Sequence, residues 1–182
     1  MLAGHETEPL LAWIRGALAE PDEHGAPRLY AILDGARDEQ IVPKIRASGV
    51  EARCLFDGEL APALAAAAPY LVALDPSASF TRALLAQGWG DAWGVLVVSG
   101  ASLDVLRRHF RQFLRVRDED GRELMFRYYD PRVLRMYLPT CTTEELELVF
   151  GPVAAFLLED SGGGAQMRRA GGRLEVLPRT GA

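Results

Sequence analysis

The sequence predicts an α/β fold: a layered single domain with a mostly parallel or mixed central sheet flanked by helices, plus a short C-terminal hairpin or tail. Three observations carry that expectation. Short apolar runs alternate with segments of helical period over most of the chain, the pattern of βα units. The apolar runs are continuous rather than alternating, as in strands covered on both faces. Most of them stop at Asp or Gly, the residues that turn chemistry favours.

The elements follow in order. Pro9 opens an amphipathic helix whose apolar stripe is Leu10, Trp13, Ile14, Ala17 and Leu18. Pro21, Asp22, Glu23, His24 and Gly25 end it as a polar loop. Leu29-Tyr30-Ala31-Ile32-Leu33 is a strand closed by Asp34-Gly35. Ile41 to Ser48 is a short helix that tolerates Pro43 only in its first turn. Cys54-Leu55-Phe56 forms a short strand ended by Asp57-Gly58, and the alanine-rich stretch from Leu60 to Ala68 is helical until Pro69 stops it. Tyr70 to Leu74 makes a third strand, Phe80 to Gln87 a helix, and Trp93 to Val98 the fourth and most apolar strand.

Ser99 or Ser102 caps the next helix, with Asp104 in its favourable first turn. Leu103, Leu106, Phe110, Phe113 and Leu114 take its core side, while Arg107, Arg108, Arg111 and Arg115 crowd the other. Like charges four apart, such as Arg107 and Arg111, cost a few tenths of a kcal/mol unless acids screen them. Two readings stand for this face: a solvated basic surface, or a dock for acidic partner groups. Val116 to Asp120 turns at Asp120-Gly121 into a strand from Leu124 to Tyr129, giving a hairpin. Asp130-Pro131 then ends the strand and starts a helix, with Asp130 as its cap. A catalytic Asp130 is the lesser reading, since nothing nearby completes a reaction site. Thr142 and Glu145 form a capping box for a further helix, broken at Phe150-Gly151-Pro152. Val153 to Leu158 is the last strand of the layered unit. Residues 1–160 are read as one α/β domain and residues 161–182 as a Gly-rich joint with a terminal hairpin or tail.

Bulk properties narrow the function. The chain has 182 residues, 49% hydrophobic and 25% charged, enough for a substantial core. A net charge of −5 gives no overall positive field for nucleic acid or acidic membranes. Asp118, Glu119 and Asp120 also argue against a nucleic-acid partner. Cys54 and Cys141 show no metal-ligand spacing and no disulfide framework. The N-terminus has neither a basic nor an apolar leader region, and no apolar run approaches the ~20 residues of a bilayer span. The expectation is a soluble, cytoplasmic protein without membrane insertion, metal or cofactor. Lys44 is the only lysine, so any charged docking surface is an arginine surface, suited to bidentate carboxylate contacts.

Chemical motifs are few. There is no GxxxxGK[ST] and no GxGxxG, and Ser99 lacks the glycine before it that a nucleophile elbow requires. His5, His24 and His109 are widely spaced. Asp34, Asp57 and Asp75 all follow strands, which in a parallel sheet would bring carboxylates to the ligand-binding edge. A small α/β enzyme with Asp34 or Asp75 as strand-end carboxylates acting on a phosphorylated or metal-bound substrate is therefore the alternative to a binding module.

One ordered series is more specific. It runs Leu29 to Gly35, Leu55-Phe56, Ala68 to Val72, Gly88-Trp89-Gly90 with Trp93-Gly94, and Leu106 to Arg111. Tyr129 to Leu134, Leu138-Pro139 and Phe150-Gly151-Pro152 complete it. From Leu29 to Glu159 the chain thereby resembles the effector-adaptor chaperones of the bacterial type VI secretion system. The resemblance implies a cytoplasmic, non-enzymatic adaptor that binds a toxic effector and helps load it onto the VgrG spike. Motif positions carried onto this chain are Asp34, Gly35, Trp89, Trp93, Arg107, Arg108, His109, Arg111, Tyr129, Asp130, Pro131 and Arg132. Gly35, Trp93 and Pro131 are equally readable as shaping the fold. Expected partner-binding residues are Arg107, Arg108, Arg111, Tyr128, Tyr129, Asp130, Arg132 and Trp89, since Tyr, Trp and Arg dominate binding hot spots. No catalytic residue is expected.

Overall fold

The structure, a computed structural model, describes residues 4–19, 25–117 and 119–179. Residues 21–24 of the expected polar loop, with His24, and Asp118 lie outside the described residues. Nine strands and seven α-helices are present among those described. The helix α1 (Gly4–Ala17) precedes β1 (Arg28–Asp34), α2 (Ile41–Ser48) and β2 (Ala52–Cys54). Next come α3 (Pro62–Ala67), β3 (Pro69–Leu74), α4 (Ser79–Gly88) and β4 (Gly94–Ser99). The helix α5 (Leu103–Arg111) leads to a separate ribbon of β5 (Arg115–Arg117) and β6 (Glu123–Met125). Then follow α6 (Pro131–Tyr137), a 3-10 turn, α7 (Thr143–Phe150), β7 (Ala155–Leu158), β8 (Ala165–Ala170) and β9 (Arg173–Pro178).

Seven strands form one sheet in the order β2-β3-β1-β4-β7-β8-β9. The mostly parallel or mixed sheet expected from the sequence is not what forms, because every neighbouring pair in it is antiparallel. The reason lies in the connections. β1 and β2 run the same way, as do β3 and β4, but each of these crossovers passes over one strand. β3 fills the first gap and β1 the second, each running opposite to the strands beside it. Continuous apolarity reports two covered faces, and both faces are covered; it carries no information about strand direction.

On one face Tyr30, Ile32, Val95, Val97 and Phe156 meet Leu106 and Phe110 of α5, Leu134 of α6 and Phe150 of α7. On the other, Leu29, Ala31, Leu33, Leu96 and Val98 meet Leu10 and Ile14 of α1, Ile45 of α2 and Leu84 of α4. Adjacent residues of β1 thus serve opposite layers, as the period of two requires. Gly94 faces Leu33 in the centre of the sheet, where a Cβ would lie 2.1 Å from the Ile32 carbonyl oxygen. Only glycine lets the two strands approach there.

Local departures from expectation have local causes. α1 begins before Pro9, which lies inside it. The strand expected from Leu124 to Tyr129 stops at Met125. A strand would send Tyr128 and Tyr129 to opposite faces, whereas the chain turns, with the Asp130 N–H donating to the Arg127 carbonyl, and buries both. Phe126 instead packs on Tyr137, ring centroids 4.8 Å apart. β8 and β9 extend the main sheet through β7, and their turn uses Gly171 and Gly172, both at positive φ.

Candidate functional site

The basic face of α5 is built from a well-capped helix. Ser102 Oγ accepts from the Val105 N–H, and Leu103, Leu106 and Phe110 anchor the other face in the core. Arg107 donates to the Cys54 carbonyl at 3.0 Å, fastening α5 to β2. Arg111 pairs with Asp57 at 2.6 Å, and Arg107 reaches the same carboxylate at 4.0 Å. The Arg111 hydrogen bond holds the Asp57 carboxyl below the usual carboxylate range. Arg108 is exposed, and nothing among the described residues pairs with its guanidinium. His109, within the same motif, points inward: its Nε2 lies 2.9 Å from the Val149 carbonyl oxygen, and burial pushes its pKa down. A Cβ on Gly151 would lie 2.5 Å from the His109 ring, which explains the glycine there.

Beside this face runs a groove of about 560 Å³ between α3, the end of α5 and the β5–β6 ribbon. Leu55, Phe56, Leu60, Leu64, Leu114 and Met125 give it apolar walls. Asp57, Arg111 and Arg115 supply its charge.

A second constellation lies where β1 ends. Asp34 is buried; one carboxylate oxygen accepts the Ala36 N–H at 3.1 Å and the other accepts Arg127 at 2.5 Å. The same guanidinium stands 3.9 Å from Asp130. Asp130 caps α6 through the Arg132 N–H at 3.0 Å and takes two bonds from the Arg132 side chain, at 2.9 and 2.6 Å. Burial works to raise the Asp130 carboxyl, but the bonds from Arg132 and the Arg127 charge outweigh it, and the net shift is downward. Tyr129 is pushed upward by burial and then by the Asp34 charge. At the same end of the sheet the Glu159 carboxylate accepts from the Gly90 and Ala92 N–H groups at 2.6 and 2.9 Å. Those bonds hold Ala92 in a left-handed conformation, φ 55°.

The expected partner-binding residues therefore divide. Arg107 and Arg111 converge on Asp57, with exposed Arg108 beside them. Tyr129, Asp130 and Arg132 converge around Asp34 and Arg127. Tyr128 is in the core, its hydroxyl donating to the Phe110 carbonyl at 2.9 Å. Trp89 is buried under the opposite face of the sheet, edge-on to Trp13, with Nε1 donating to the Gly163 carbonyl at 2.9 Å. Both side chains are enclosed by their neighbours. Arg127 is not among the expected site residues; its partner Asp34 lies 93 residues away in sequence, and only that pairing gives it meaning. Glu159 had no sequence signal.

The strand-end aspartates do not form one edge. Asp34 ends β1, but β3 runs antiparallel to it, so Asp75 emerges at the opposite end of the sheet and caps its own turn through Ser77. Asp57 serves Arg111. Among the described residues no group of three His, Cys, Asp or Glu side chains is arranged to hold a metal ion. No helix among them is long and apolar enough to cross a membrane.

Comparison with known proteins adds one finding. No curated protein and no solved structure matches the chain. A family model described as a domain of unknown function (DUF4123) matches residues 29–148. That span runs from β1 into α7 and contains α5, the groove and the Asp34–Arg127–Asp130 cluster. The chain belongs to the DUF4123 family.

Proposed function

We propose that this protein is a non-enzymatic adaptor that binds a type VI secretion effector and helps load it onto the VgrG spike. The family match over residues 29–148 carries this reading, since the family is associated with an effector-adaptor role in type VI secretion. The layout of the surface supports it. An apolar groove edged by arginines is a surface for a protein partner, with apolar contact for affinity and charge for orientation. In the Asp34–Arg127–Asp130–Arg132 chain the two carboxylates are buried and paired with half-exposed guanidinium groups, as expected of a cluster that fixes α6 against the sheet.

The test is co-expression of the tagged protein with the effector and spike proteins encoded in its own operon, followed by affinity purification in native buffer. Recovery of the effector, alone or with VgrG, is the expected result. A tagged protein that brings down neither partner would overturn the proposal.

A further inference from the structure

The groove beside α5 is bordered by two elements whose apolar side chains lack cover. α3 reads Pro-Ala-Leu-Ala-Ala-Ala and buries none of its six residues; Leu64 is 47% exposed. The β5–β6 ribbon is exposed at every strand position, although it carries Val116, Leu124 and Met125. A helix this short and an isolated two-stranded ribbon are each marginal in water. Soluble chains rarely leave apolar surface concentrated in one place without a use for it. Leu64 and Met125 flank the groove, and Leu60 and Leu114 line it with them.

The charge at the rim specifies what fits. Arg111 and Arg115 line the groove, and Arg107 approaches the same acid, Asp57. Asp57 sits on a side chain 74% exposed, and an ion pair so exposed contributes little net stability. A carboxylate arriving from outside can therefore take its place on Arg111 at small cost. Among the described residues Arg115 pairs with Glu123 across the ribbon, another exposed pair at 2.7 Å.

We propose that the groove receives an acidic amphipathic segment of the partner. Its apolar side chains seat between Leu64 and Met125, and its carboxylate displaces Asp57 from Arg111. Asp57 is then a placeholder that keeps the guanidinium oriented while the groove is empty. The proposal rests on the adaptor reading only in taking the segment to belong to the effector.

The probe is a short fluorescent peptide with leucines at helical spacing flanked by glutamates, titrated into the full chain by anisotropy beside a twin with lysines for glutamates. The glutamate peptide is expected to bind saturably and the lysine twin about tenfold more weakly. Leu64→Asp and Met125→Asp each weaken binding about tenfold. Asp57→Asn, by removing the competitor, tightens it about two- to fivefold. Val105→Asp, exposed on α5 but outside the groove lining, leaves it unchanged. Equal binding of the two peptides, binding that survives both groove substitutions, or an Asp57→Asn variant that binds more weakly would each overturn the inference. An effector complex that Leu64→Asp and Met125→Asp leave intact would discard the groove and keep the adaptor. Peptide binding as expected, with no effector recovered, would discard the adaptor and keep the groove.

Discussion

Arg127 donates to Asp34 at 2.5 Å across 93 residues of sequence, and this bond ties the turn before α6 to the end of β1. Asp34 is 2% exposed, so removing the guanidinium leaves a buried carboxylate with the Ala36 N–H as its remaining bonded partner. Arg127→Leu is expected to cost about 1–3 kcal/mol in urea denaturation. Arg132→Ala costs less, because Asp130 keeps the backbone N–H of position 132 and the lost pair is half-exposed. Equal midpoints for wild type and Arg127→Leu would show that the bond does not hold the turn.

His109 and Glu159 make opposed contributions to acid stability. Burial lowers the His109 pKa from its ordinary 6.5, so the unfolded imidazole takes up a proton that the folded one resists. Its contribution is complete above that ordinary value and is lost as pH falls through the depressed one. Burial raises Glu159 above its ordinary 4.5, giving a contribution present below that value and lost as pH rises through the raised one. In a Glu159→Gln background, urea midpoints should therefore decline as pH falls below about 6.5, and adding His109→Gln should flatten that decline. A slope that persists without His109 would assign it elsewhere.

Two glycine substitutions should separate sharply. Gly94→Ala places a methyl group against the Ile32 backbone in mid-sheet, where neither strand can yield, and is expected to cost more than about 3 kcal/mol. Gly16→Ala in α1 meets open space and should stabilise by about 0.5–1 kcal/mol. Thermal melts read both, and a soluble Gly94→Ala protein with an unshifted melt would refute the close approach of β1 and β4 at Gly94.

Charge reversal on α5 should distinguish docking from fastening. Arg108→Glu and Arg111→Glu are expected to reduce recovery of the co-expressed effector about tenfold, with stability changed by less than about 0.5 kcal/mol. Arg107→Glu also gives up the bond to the Cys54 carbonyl and should cost about 1 kcal/mol in addition. Unchanged recovery from the Arg108 and Arg111 variants would move the interface away from this helix.

Features encoded within a few residues were legible in the sequence. Ile41–Ser48 is helical with Pro43 in its first turn, and Asp130 and Thr142 cap as their spacing implied. Of the two serines proposed for α5, Ser102 caps it, while Ser99 donates to the Pro152 carbonyl. Features set by distant pairing were not legible. The direction of β3 against β1 depends on which gap each crossover fills, and no single strand records that. Trp89 and Tyr128 carry residue types common at interfaces, but type does not report exposure, and both are enclosed. The groove went unread because it is defined by what fails to cover Leu64 and Met125.

The skipping of strands also sets a constraint on synthesis. β1 is made first, yet its two neighbours are β3 and β4, and the second is complete only at Ser99. Until then a segment with six of its seven residues destined for the interior stands with an open edge beside the ribosome. Such edges recruit other nascent strands. Translation through α4 is thus the interval in which this chain most needs a holdase, and slow codons placed before Gly94 should lower its soluble yield more than slow codons placed after Ser99.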